Sequence, residues 1–263
     1  MKISKWSKRI IGCLFLVSLG MSVRIGLEYH RIDRDNEQIR LSATRGEEEL
    51  TFSGKDLPGE EKVTLPVVDF TELKKKNQDV IGWIYACNGR ISYPVVASEE
   101  EYYLSHSLEG KESKAGTIFA DATTLNALEK DRLIVYGHNM KNGSMFHPLI
   151  QYARDPDYQT QAPYIYLLTP DTIRVYRIER IRVLEYEDIL FADEKSDEQS
   201  RKITLITCEY SGTDTRLVVD AVEDKVVQVA SALSHYGDSF LCNGFFPEVI
   251  TSPPSSGTST QAQ

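Results

Sequence analysis

Seven short runs rich in Val, Ile, Tyr and Thr constrain this chain most. They are "ISYPVVA", "GTIFA", "RLIVYGH", "YIYLLT", "TIRVYRIERIRVLEY", "KITLITCEY" and "TRLVVDAVE", all between residues 91 and 223. β-branched and aromatic side chains fit a pleated, half-buried surface. Turn residues separate the runs, and no long helical pattern alternates with them, which speaks against a parallel α/β sheet. The expectation is an all-β unit, either a closed barrel or a sandwich. The run over 172–186 is long enough to bend or to hold two strands. Two helices are expected: one begins in "DFTELKKKNQDVIGWI", capped by Asp69 and ended by Asn77, and another lies in "SMFHPLIQYA".

The ends of the chain are different in kind. "MKISKWSKR" holds four Lys or Arg and no acid, and "IIGCLFLVSLGMSV" follows with fourteen uncharged residues. Fourteen helical residues span about 21 Å, short of the ~20 residues usual for a bilayer core. Extension through Leu27 makes the span sufficient if Arg24 reaches back to the interface. A cleaved signal peptide is the alternative, but no A-x-A-like site follows the apolar run. Residues 1–27 are therefore read as a retained anchor, with the basic end inside and the rest of the chain outside. Residues 28–65 are polar and charged, and are read as a stalk with little to bury. The folded unit is expected over 66–248, before a low-complexity tail over 249–263 that contains "TSPPSSGTSTQAQ". With 39 acidic residues against 30 basic ones, the net charge of −9 argues against a nucleic-acid partner.

Four cysteines are present: Cys13 in the anchor, then Cys87, Cys208 and Cys242. Outside a cell, pairing into disulfides is the plain expectation, and one of the three outer thiols is then left over. Metal binding lacks the usual Cys-x-x-Cys or close Cys/His spacing. The alternative is that Cys208 is a nucleophile, which requires a thiolate and an acid for the leaving group. Histidine suits that second task near neutral pH. Of the five histidines, His138 ends the apolar strand "RLIVYGH" and opens the loop "NMKNGS", which puts it at the rim of a sheet. Arg216 begins the strand after that of Cys208. If Ser211 to Asp214 turn the chain, the two residues share one rim, where a guanidinium can donate to a developing oxyanion. An ion pair of Arg216 with Glu209 or Asp214 is the plainer reading.

Together these residues resemble the sortase family, and class B sortases in particular. The cysteine motif T-L-x-T-C is matched by Thr204 to Cys208, the arginine by Arg216 in "RLVV", and the histidine by Tyr136, Gly137 and His138 in "VYGHNM". "GWIYACNGRISYPVV", "YYLSHS" and "AGTIFAD" follow the same order upstream, so the resemblance covers roughly residues 66 to 223. It implies a closed sortase-type barrel of about eight strands with a few short helices. It also implies a membrane-anchored cysteine transpeptidase with Cys208, His138 and Arg216 as catalytic residues. Leu104 and Thr207 would be substrate-binding residues, and neither a metal nor an organic cofactor is required. Cys208 would attack the carbonyl of a threonine in the C-terminal sorting signal of a surface protein or pilin. An amine of a peptidoglycan precursor or a pilin lysine would then resolve the thioester. A pilin-polymerising enzyme, a peptidase that hydrolyses the thioester, and an anchored binding module with a structural thiol are the alternatives. Two departures stand out. Only "EDILFADEKSDEQSRK" separates "RVLEY" from "ITLITC", where class B sortases carry a long helical insertion. "SEEEYYL" also lacks the Asn often found before Tyr-Leu.

Overall fold

A computed structural model describes residues 5–52, 61–98, 101–121, 128, 131–189, 201–208 and 214–229. The expected tail and the end of the expected domain, from 230 onward, lie outside the described residues. Helix α1 (Lys5–Ala43) opens the chain, and a two-stranded antiparallel sheet follows, β1 (Thr44–Phe52) with β2 (Glu61–Val68). Helix α2 (Phe70–Lys76) leads into β3 (Val80–Ala86), β4 (Ile91–Ser98), β5 (Ile118–Asp121) and β6 (Arg132–Tyr136). Two short helices, α3 (Ile150–Arg154) and α4 (Tyr158–Gln161), precede β7 (Tyr164–Leu168) and β8 (Thr172–Glu185). A turn of helix, α5 (Tyr186–Ile189), comes before β9 (Lys202–Cys208) and β10 (Thr215–Gln228).

Strands β3 to β10 close into a barrel in the order β10-β8-β7-β3-β4-β5-β6-β9. Closure was one of the two expected outcomes, and it removes every free sheet edge from the eight strands. The pairs β4/β5 and β6/β9 are parallel; the other neighbours run antiparallel. The eighth strand is "VIGWIYA", which follows the helix expected to end at Asn77 and is not among the seven expected runs. Asn77 stops that helix, as expected: its backbone is extended and its N–H closes on the Leu73 carbonyl. Asp69 caps the other end through the N–H groups of Thr71 and Glu72. The long run 172–186 is one strand, with register shifts against β10 near Asp220 and Glu223 that let it bend. "SMFHPLIQYA" becomes a 3₁₀ turn (His147–Leu149) continuing into α3, so its helix begins later than expected.

Side chains sort by the two-residue period of the strands. Ile84, Val95, Ile118, Leu133, Val135, Ile165, Leu167, Ile203, Leu205, Leu217 and Val219 fill the barrel interior. The alternate residues Trp83, Tyr164, Tyr166, Leu168 and Val175 form a second apolar layer outside, under Ala43, Phe52, Leu65 and Leu73. Strands β3 and β7 are thus covered on both faces, and "YIYLL" is buried at every position.

That second layer takes in described parts of the segment expected as a stalk over 28–65. Phe52 is 2% exposed and packs edge-on against Tyr164 at 5.3 Å, and Leu65 is 3% exposed. Helix α1 contributes the buried Ile32 and Ala43. The acidic stretch "RGEEEL" concealed the pattern, because only every second residue near the ends of β1 and β2 is apolar.

Candidate active site

Register alone brings the three expected residues to one rim. In the antiparallel pair β9/β10, Cys208 lies opposite Arg216, Thr207 opposite Leu217 and Ile206 opposite Val218. In the parallel pair β6/β9, Tyr136 lies beside Ile206, and the Gly137 N–H donates to the Ile206 carbonyl at 3.2 Å. Two residues past Tyr136 is His138, and two past Ile206 is Cys208. Cys208 thus pairs with Arg216, and the chain leaves β6 for His138 at the same end of the sheet. By alternation, positions 206 and 208 share the outer face with 216 and 218. Ile206 and Val218 are buried there with Ile134, Tyr136 and Leu184 around them, an apolar floor leading to the rim.

His138 is held by backbone. Its Nε2 lies 2.8 Å from the Leu104 carbonyl oxygen. A carbonyl only accepts, so Nε2 carries the proton, and Nδ1 holds the lone pair of the neutral ring. Leu104 closes a 3₁₀ turn (Glu101–Leu104) that is itself tied down. Asn77 donates to the Tyr103 hydroxyl at 2.7 Å, and that hydroxyl donates to Asp79 at 2.6 Å. Thr117 N–H donates to the Tyr103 carbonyl at 2.8 Å. Gly116 makes this approach possible. Its φ of +58° favours glycine, and a Cβ there would run into the carbonyl oxygens of Tyr103 and Leu104. Gly137, before the histidine, is required for a different reason: a Cβ would stand 2.7 Å from the Phe146 ring.

Arg216 makes the ion pair that was the plainer reading. Its Nη1 donates to Asp214 Oδ1 at 2.7 Å and to the Thr215 carbonyl at 3.2 Å. Glu209, the other candidate partner, lies outside the described residues. Asp214 is 72% exposed in its side chain and Arg216 is 22% exposed. A pair with so wet a partner is weak. A guanidinium also presents five N–H donors on one planar fork, so pairing with Asp214 is compatible with binding a substrate oxygen.

The remaining candidates divide. Leu104 enters the site through its carbonyl, which orients the histidine. Thr207, expected to bind substrate, is 2% exposed and takes the inward positions of β9 with Ile203 and Leu205. Its hydroxyl is buried without a hydrogen-bond partner among the described residues. Its side chain is thus on the inward face of β9. Cys87 is a free thiol, 0% exposed, and burial pushes its pKa up to about 11 against the lowering effect of the Tyr152 and Tyr158 hydroxyls. It is a poor nucleophile and is not bridged. His147 is bound to Asn139 at 2.8 Å, and burial, with Arg154 and Arg90 nearby, pushes its pKa down. Among the described residues no cluster of three or more His, Cys, Asp or Glu side chains is placed to hold a metal ion. Sequence reasoning missed the support under His138, namely Asn77, Asp79, Tyr103 and Gly116. The glycine was the visible signal, since "AGT" stands just where the polar "GKESK" gives way to β5.

Comparison with known proteins agrees with this geometry. A family model described as the sortase domain matches residues 87–224, more than half of the chain. Sortase B of Listeria monocytogenes is 38% identical over 96 residues, covering 36% of this chain and 39% of that protein. The match thus spans about two fifths of that relative's length. Sortase B of Staphylococcus aureus is 26% identical over 188 residues, covering 61% of this chain and 75% of the relative. Among solved structures, Clostridium perfringens sortase B aligns with a TM-score of 0.53 at 25% identity, over 60% of this chain and all of that one. Bacillus anthracis sortase B aligns with a TM-score of 0.56 at 22% identity, over 76% of this chain and 99% of that one, a likeness of fold. With the matched domain taking in Cys208, His138 and Arg216 alike, the chain belongs to the sortase family.

Proposed function

We propose that this protein is a membrane-anchored cysteine transpeptidase that joins a protein bearing a C-terminal sorting signal to an amine. The observation that supports the reading is the register across β6, β9 and β10: Arg216 pairs with Cys208, and Tyr136, two residues before His138, pairs with Ile206, two residues before Cys208. The Cys208 thiolate attacks the carbonyl carbon of the scissile residue, a threonine in the family reading. A tetrahedral oxyanion forms, and the Arg216 guanidinium donates to it. Collapse breaks the C–N bond, and protonated His138 gives its proton to the departing amine, leaving a thioester on Cys208. An incoming amine then attacks the thioester while His138 accepts its proton, and the thiolate returns. Splitting one amide exchange into two steps lowers each barrier.

The apolar floor of Ile206, Val218, Ile134, Tyr136 and Leu184 suits the residues that precede the scissile bond. Anchoring is supported by α1, whose N-terminal part is long and apolar enough to cross a membrane and is not buried by the rest of the protein. The test is product analysis with a sorting-signal peptide, with and without a small amine or a cell-wall peptide acceptor. A new amide that forms only with acceptor supports transpeptidation, and acid product at the same rate in both cases identifies a hydrolase instead.

A further inference from the structure

Helix α1 does more than lead out of the apolar segment, because its second half touches the loop that carries His138. Asp33 Oδ1 accepts from Asn142 Nδ2 at 2.6 Å, and Asn36 Nδ2 donates to the sulfur of Met145 at 3.8 Å. Ile32, next to Asp33, is 8% exposed and packs into the barrel core cluster that includes Met145. Lys114 pairs with Glu28 at 2.6 Å one turn earlier. The loop from 137 to 147 is a closed unit. Asn142 accepts from the Ser144 hydroxyl at 2.8 Å, and Met145, at φ +57°, donates its N–H to the Tyr93 hydroxyl at 3.2 Å. Met145 bridges back to Asn139, and Phe146 N–H donates to the carbonyl of His138 itself at 2.9 Å. The path from the helix to the histidine backbone is thus two contacts long.

We propose that Asp33 and Asn36 are positioning residues for His138, so that the helix bearing the apolar segment also sets the geometry of the proton-transfer group. The proposal rests on the function proposed above. Its physical basis is that a loop fixed at both rims holds the ring in one orientation. A loop released at 142–145 keeps only the barrel side of that support, and misplacement of a catalytic group by about 1 Å can cost a hundredfold.

The test uses the full chain in detergent micelles, comparing wild type with Asp33→Ala/Asn36→Ala, Asn142→Ala, all three together, and Asp33→Asn. Two readouts are taken: kcat and KM with a sorting-signal peptide and an amine, and deuterium exchange of the His138 ring C–H by mass spectrometry, which needs no substrate. Loss of partly exposed hydrogen bonds corresponds to a fall of about three- to tenfold in kcat with little change in KM. The triple variant falls by less than the sum of the double and the Asn142→Ala losses, since the Asp33–Asn142 contact is shared between them, while the Ser144 bond of Asn142 is lost besides. Asp33→Asn keeps an acceptor for Asn142 and stays within about twofold of wild type. Ring exchange is altered at His138. Arg31→Ala, which removes an exposed ion pair with Asp35 on the same helix, leaves both readouts at wild type. Unaltered exchange at His138 overturns the proposal, as does unaltered kcat, additive loss in the triple variant, or a loss explained by a lower melting temperature. If wild type itself transfers no acyl group, the functional reading fails, and the exchange data alone decide whether the helix positions His138.

Discussion

A guanidinium at position 216 answers to two partners, the Asp214 carboxylate beside it and the oxyanion it would meet during acyl transfer. Only the second makes arginine necessary. Lysine keeps the charge but loses the planar fork. Arg216→Lys is expected to lower kcat by about 100- to 1,000-fold with a much smaller change in KM, the usual size for a lost oxyanion donor. Asp214→Ala is expected to leave kcat within a few-fold, because an exposed pair is worth under about 1 kcal/mol. Steady-state kinetics of both variants check this, and wild-type turnover in Arg216→Lys would remove the residue from the catalytic set. Gly116 is the complementary case, a residue that touches no reactant. Gly116→Ala meets both a positive φ and the carbonyls of Tyr103 and Leu104, so thermal unfolding should show a loss greater than about 1 kcal/mol. Turnover should fall as well, because the Leu104 carbonyl that orients His138 must move.

Among the elements, most strands with continuous or alternating apolar residues were legible in the sequence, as was the hairpin neighbourhood of "TLITC" and "TRLVV". Three features were not legible. Strand β3 hid because its helix-like lead-in, "TELKKK", directs attention away from "VIGWIYA". The pairing of β6 with β9, which brings His138 to the same end of the sheet as Cys208, joins residues about 70 apart in parallel, and no local pattern encodes such a contact. The hairpin β1/β2 looked like a stalk because "RGEEE" in β1 and "EK" in β2 read as charged linker. Its inward positions are structural all the same. Leu65→Ala is expected to destabilise the protein by about 2–5 kcal/mol, the range for emptying a core leucine site. Denaturant unfolding measures this, and a change within about 0.5 kcal/mol, as at an exposed site, would return residues 44–65 to the status of a linker.

For the whole molecule, the described parts form one continuous arrangement: an apolar helix end, its docked second half, a hairpin layer over one side of the barrel, and the catalytic rim on the strands β6, β9 and β10. The layer covers β3, β7 and β8, while the outer face of β9 and β10 carries the apolar floor that ends at Cys208 and Arg216. One side of the barrel thus serves stability, and the proposed function uses the other. In that proposal Cys208 is the acyl carrier. The most direct measurement is the mass of the intact protein after brief exposure to a sorting-signal peptide, followed by peptide mapping. The account predicts a thioester adduct on the peptide containing Cys208, discharged when an amine is added and absent in Cys208→Ala, whose circular dichroism matches wild type. Acyl transfer that persists in Cys208→Ala, or an adduct mapped to another residue, would contradict it.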